Sequence, residues 1–217
     1  MTAELEPGQS LSAESCSLLR VAELNGKQGN VLLIKHPALP WPEGRCLERN
    51  QQSFDRAIHL SQGLGKERFS GLACRSDELP FLDSSFRLVV LWHVLASGAE
   101  AELAEACRVL AAGGDLLVLG LQRRSFLARL GGQQGRDLPA LQRQPLLRKL
   151  QDAGMDIVSV TGAGLPVCKD WNIRQAGLAG VLLPFTQLLL VQARHGNPAT
   201  LTPLPLGDFR AEVARGV

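Results

Sequence analysis

The feature that most constrains this chain is a set of short apolar runs with no polar alternation. Gly29 to Lys35 reads GNVLLIK, Phe86 to Trp92 reads FRLVVLW, and Asp115 to Leu121 reads DLLVLGL. Successive side chains of a strand point to opposite faces, so a strand with one wet face would alternate. Unbroken runs of this length demand cover on both faces, which is the situation of parallel strands with helices packed on either side. They therefore predict one α/β domain around a twisted, mostly parallel sheet with right-handed crossovers.

The other segments are consistent with that reading. Arg56–Ser61 (RAIHLS), Phe69–Cys74 (FSGLAC), Met155–Thr161 (MDIVSVT) and Phe185–Gln192 (FTQLLLVQ) complete the strand candidates. Leu18, Leu19, Ala22 and Leu24 fall on one side of a helix spanning about residues 12–24. Ser97 and Glu100 have capping-box spacing, ahead of a stripe of Leu103, Ala106, Cys107 and Leu110 that ends at Gly113-Gly114. Pro145 suits the opening of a further helix, carrying Leu146, Leu147 and Leu150 to a Gly154 cap. Residues 1–193 are expected to form the domain, with its N-terminal helix. Residues 194–217 form a tail interrupted by Pro198, Pro203 and Pro205.

Composition narrows the functional classes. The chain has 217 residues, 45% hydrophobic and 20% charged, with a formal charge of +2, so extensive disorder is excluded and the overall charge does not point to nucleic acid. Locally, residues 122–149 carry Arg123, Arg124, Arg129, Arg136, Arg143, Arg148 and Lys149 against the single acid Asp137. That segment is a solvated face, or a surface for an anionic substrate. Nucleic acid is compatible with its charge, but only Phe126 interleaves the basic residues and the chain has no tyrosine. The five cysteines are odd in number and lack metal-site spacing, which suits free thiols in a reducing compartment. No signal-peptide pattern opens the chain and no apolar run reaches membrane length. The expectation is a cytoplasmic protein without a membrane span.

The stretch SDELPFLDSSFRLVVLWHVL, followed by ELAEACRVLAAGGDLLVLGL, resembles the class I S-adenosylmethionine-dependent methyltransferases, in particular the small-molecule type of the quinone and biotin pathways. In that family a loop ending in LPF leads into the fourth strand, and a helix ending in RVL leads through a glycine turn into the fifth. The resemblance implies a Rossmann-like, seven-stranded, mostly parallel sheet with its last strand antiparallel and helices on both faces. It also implies S-adenosylmethionine as cofactor and a small-molecule methyl acceptor.

Mapped onto this chain, the family's cofactor positions carry other residue types. Where the family follows strand one with an acid and a GxGxG-like turn, this chain has Ile34-Lys35-His36-Pro37-Ala38-Leu39-Pro40, with no glycine before Gly44. The acid expected at the end of strand two, for the ribose hydroxyls, falls at His59 by spacing. The acid expected near the adenine falls at Arg75, with Ser76 and Asp77 beside it, and the Asp of the strand-four motif is Arg87. Lys35, His36, His59, Arg75, Ser76, Asp77 and Trp92 are therefore the candidate cofactor-binding residues.

Methyl transfer needs in-line approach and charge stabilisation rather than a protein nucleophile. His93, just past strand four, is the candidate general base because an imidazole titrates near neutrality; the alternative is a polar cap over the sheet edge. Cys74 suits a buried small residue. His36, His59 and His93 have no spacing that marks a metal site. Gly162 to Pro166 follows a late strand and suits a connection bordering the acceptor pocket. Two functions stay open: a small-molecule methyltransferase, and a noncatalytic methyltransferase-like binding or regulatory domain.

Overall fold

The structure, a computed structural model, describes residues 15–16, 18–19, 22, 29–37, 39, 56–62, 69–70, 78–96, 99–122, 138–164, 173–174, 183–184 and 186–196. Six long strands build the sheet: β1 (Asn30–Lys35), β2 (Arg56–Gln62), β4 (Phe86–Trp92), β5 (Leu110–Gln122), β7 (Met155–Ala163) and β9 (Leu188–His195). Three further strands, β3 (Phe69–Ser70), β6 (Ala140–Leu141) and β8 (Ile173–Arg174), have two residues each. The order is β3-β2-β1-β4-β5-β9-β7-β8, with β6 pairing to β5. β1, β2, β4 and β5 are mutually parallel, and β9 runs antiparallel to both β5 and β7.

The expected seven-stranded count is corrected to six long strands with short additions at the margins. The strand expected over Phe69–Cys74 is described at Phe69–Ser70, which pairs antiparallel with Ser61 and Gln62; residues 71–74 lie outside the described residues.

Both faces of the central strands are covered, which is why their sequences do not alternate. Leu32, Ile34, Val89, Leu91, Leu116 and Val118 join one core cluster. Their neighbours Val31, Leu33, Leu88, Val90, Leu117 and Leu119 join the other. The first face is roofed by α1 (Glu100–Val109), through Leu103, Ala106 and Val109, and by α2 (Arg143–Asp152), through Leu146 and Leu150. The second is roofed by Cys16, Leu18, Leu19 and Ala22 from the N-terminal helical residues, and by Leu39. No helix among the described residues is long and apolar enough to cross a membrane.

Two helix boundaries differ from expectation. α1 begins at Glu100 with Ala99 as its N-cap and no side-chain cap; Ser97 of the expected capping box lies outside the described residues. Glu100 pairs with Lys149 of α2 at 2.8 Å, a partner that tertiary packing supplies. At its other end α1 passes directly into β5 at Leu110, opposite Phe86. The register then jumps so that Leu88 faces Asp115, and Gly113, at φ +66°, lies in the excursion between.

The LPF and RVL marks are bonded to each other. Arg108 Nη2 donates to the carbonyls of Leu79 at 3.1 Å and Phe81 at 2.9 Å. Glu105 Oε1 accepts from the Leu79 amide at 2.7 Å and from Arg108 Nη2 at 2.6 Å, while Asp83 pairs with Arg108 Nη1. These bonds, led by the one from Arg108, hold the Glu105 carboxyl below its usual range. The guanidinium is held above its own, by Glu105 first and Asp83 second. The motif is thus a clamp that fixes the entry into β4. Arg87, where the family has Asp, bonds Ala112 O at 2.8 Å and secures the excursion before β5.

Candidate functional site

From β1 the chain builds outward to β2 and β3, then returns to β4 on the other side of β1. In open α/β sheets ligands lie outside the carboxyl ends of the strands at such a reversal. Here that edge is formed by Lys35 and Trp92, opposite each other in register, and by Ser61 of β2.

The turn leaving β1 is closed by its own bonds. His36 donates its amide to Trp92 O at 3.0 Å, and Leu39 donates its amide to His36 O at 3.2 Å. Lys35 Nζ reaches across the same turn to Leu39 O at 2.6 Å. Leu39, only 4% exposed, packs into the second core cluster. Apolar burial of Leu39 and a charge-assisted bond to its carbonyl therefore hold one conformation together. Burial also lowers the Lys35 pKa below the usual ammonium value, because desolvation disfavours the charged form.

The end of β4 is closed as well. Trp92 is wholly buried in the second cluster, so the flat ring expected to line a pocket is core. His93 follows in a left-handed conformation, φ +55°, which non-glycine residues rarely adopt. Its amide bonds Leu119 O at 2.8 Å, continuing the sheet while the side chain turns inward. The imidazole is 1% exposed and stands edge-on to Trp92, with ring centroids 6.0 Å apart. Its Nε2 lies 3.1 Å from the Oγ of Ser15, itself fully buried on the N-terminal helical segment. Among the described residues neither His93 Nδ1 nor Trp92 Nε1 has a hydrogen-bond partner. Burial first, and the nearby His36 second, lower the His93 pKa to about 4.

Of the remaining candidates, His59 lies short of this edge. The backbone of His59 is paired with Leu33, two positions short of the Lys35 level, and β2 continues to Gln62. The strand-end position expected of His59 thus belongs to Ser61 and Gln62, whose pairing with β3 prolongs the strand. Arg75, Ser76 and Asp77 lie outside the described residues, as does Cys74.

A second group of residues, at the carboxyl end of β5, had no sequence motif to announce it. Gln122, 6% exposed, lines a cavity of about 260 Å³ together with Gln142, Arg143 and Gln144. A smaller hollow of about 130 Å³ adjoins it between α1 and α2, lined chiefly by Leu95, Ala96, Ala99, Leu103 and Leu146. Only Arg143 could be flagged from sequence, as one charge in the basic segment. The glutamines converge because β5 ends where α2 begins.

No protein-family model matches the chain, and no curated protein matches it in sequence. Solved structures do match in fold. A protein from Thermotoga maritima, described as an S-adenosylmethionine-dependent methyltransferase and candidate histamine N-methyltransferase, aligns at TM-score 0.55 and 15% identity, over 87% of this chain and 91% of its own. A candidate methyltransferase from Haloferax volcanii, solved with a methyltransferase activator, aligns at TM-score 0.54 and 16% identity, over 88% and 94%. A (4+2)-cyclase aligns at TM-score 0.50 and 19% identity, over 85% and 81%. The chain has the fold of the class I S-adenosylmethionine-dependent methyltransferases.

Proposed function

We propose that this chain is a methyltransferase-like domain that does not hold S-adenosylmethionine in its family's ordinary manner and acts as a noncatalytic binding or regulatory module. The observation that carries this reading is the closed turn after β1. The family leaves room there for the methionine part of the cofactor with glycines and an acid. This turn instead seats Leu39 in the core and places an ammonium at the strand end, bonded to Leu39 O at 2.6 Å. S-adenosylmethionine carries an ammonium and a sulfonium, both repelled by Lys35. Its carboxylate would have to share the Lys35 ammonium with Leu39 O. The residues present therefore do not fit the cofactor as the family binds it.

His93 supports the same reading. A general base needs to reach the proton it removes and to titrate near the working pH. An imidazole 1% exposed, engaged by Ser15 and with its pKa lowered to about 4, meets neither requirement. It serves as a polar pin between the N-terminal helical segment and β4. A shared fold does not supply the chemistry either, since the same architecture hosts a protein described as a (4+2)-cyclase.

Calorimetry with S-adenosylmethionine and S-adenosylhomocysteine tests the proposal. The expected result is no saturable heat and no thermal shift at millimolar ligand; binding in the micromolar range would overturn it. The second reading, a small-molecule methyltransferase with a rebuilt pocket, is favoured by the cavity beside the ends of β4 and β5. Transfer of label from methyl-labelled S-adenosylmethionine to a small acceptor would establish it.

A further inference from the structure

We propose that the cavity at the end of β5 binds a small carboxylate with a short apolar tail, the carboxylate meeting Arg143 and the glutamine amides and the tail lying in the adjoining hollow. This rests on the reading of the chain as a binding module and names the ligand class that the module takes.

The charge pattern sets the sign. Among the described residues no acid lines either cavity, and the cations are Arg143 in the larger and Lys149 in the smaller. Lys149 is paired with Glu100 at 2.8 Å, which leaves Arg143 as the cation without an acidic partner among the described residues. Its planar fork suits a carboxylate.

Hydrogen-bonding capacity marks the same place. Thr186 Oγ1 donates its single proton to Leu183 O at 2.8 Å and lies 3.2 Å from the Gln122 carboxamide. Gln122 therefore has Thr186 beside the oxygen end of its carboxamide, and its amide NH2 can donate to an anion. Gln142 and Arg143 are half-buried and Gln144 is exposed at the start of α2. α2 starts there with no acid in its first turn and no side-chain cap, so its dipole adds to the pull on an anion.

Size and polarity define the rest. A volume of about 260 Å³ lies below the usual range for drug-sized ligands, roughly 300 to 1,000 Å³, so the occupant is small. The two hollows share Leu141, Gln142 and Pro145. One molecule can therefore place a polar head at Arg143 and a short chain against Leu95, Leu103 and Leu146.

The test uses the full chain, isotope-labelled, with hexanoate as probe and two-dimensional NMR as readout. Saturable shifts of the Gln122, Gln142 and Gln144 side-chain amides are expected, with neutral hexanamide binding at least about 10-fold more weakly. Arg143→Gln is expected to weaken hexanoate by about 10- to 100-fold, the effect of one hydrogen bond to a charged group, without lowering the melting temperature. Ala99→Leu narrows the apolar hollow and is expected to weaken hexanoate while sparing acetate. Absence of saturable shifts at tens of millimolar, equal binding of hexanamide, or no effect of Arg143→Gln would overturn the proposal. S-adenosylmethionine added to the same sample separates the two readings. Saturable shifts around Lys35 and Trp92 would sink the noncatalytic reading, and the hexanoate result would stand on its own.

Discussion

His93 gives a quantitative prediction that reaches from one ring to the stability of the whole domain. Its imidazole has an ordinary pKa of 6.5 and a folded value of about 4, because the buried ring has no solvent to support a charge. Between these values the unfolded chain binds a proton that the folded chain refuses, so stability present above pH 6.5 is lost as pH falls towards 4. Each pH unit of separation is worth about 1.4 kcal/mol. The loss from this site is about 2 kcal/mol between pH 7 and pH 5, and about 3 kcal/mol once the pH lies below 4. Of the charged groups near the ring, His36 contributes to the lowering; Lys35 stands at the end of the neighbouring strand.

The assay is urea unfolding at pH 7 and pH 5 for the native chain and for His93→Asn. Asparagine tolerates the left-handed backbone at φ +55° and cannot titrate. The variant is expected to start less stable and to lose about 2 kcal/mol less than the native chain over the interval. Equal losses in the two proteins would refute the reasoning, since the titrating group would then lie elsewhere. Because the ring can charge only once solvent reaches it, the N-terminal helical segment that meets it through Ser15 is expected to lose amide-exchange protection before the central strands do.

Further outcomes follow from the packing. Arg108→Met removes the cation from two carbonyls and from Glu105; a loss of about 2 kcal/mol in chemical unfolding is expected, with exchange rising first over residues 78–84. Gly162→Ala would place a methyl 2.9 Å from Thr186 Cβ and nearer still to its Oγ1 and Cγ2, atoms close to the backbone that cannot swing clear. A cost of about 1 to 3 kcal/mol is expected from overpacking, measured by thermal unfolding. Asp115→Ala strips the partner from Arg194, bonded at 2.8 Å across the β5–β9 register. Because Asp115 is 2% exposed and Arg194 about one-third exposed, the expected loss is about 2 kcal/mol, below that for a fully buried pair. A high-salt control that restored the variant would contradict this account.

Much of the architecture was legible in the residues. Val31–Ile34, Leu88–Leu91 and Leu116–Leu119 are apolar on both faces, and only a sheet roofed on both sides satisfies them. The pairing of LPF with RVL proved legible for a physical reason: Arg108 and Glu105 bind the backbone of Leu79 and Phe81, so the two motifs work as one clamp. Boundaries were less legible. The capping spacing of Ser97 and Glu100 is a local signal, and Lys149, distant in sequence, claimed the glutamate. The strand expected over Arg56–Ser61 gained one residue, Gln62, which pairs with Phe69 of β3.

The site divides the same way. Local sequence determined that no glycine follows β1 and that an ammonium replaces an acid at its end, because residue identity alone sets charge and backbone freedom. Tertiary structure decided that Lys35 closes its own turn, that Trp92 is core and His93 a buried pin to Ser15, and that glutamines from β5 and the start of α2 surround one hollow. Those outcomes depend on which distant groups share a volume, and periodicity and spacing along one chain carry no record of that.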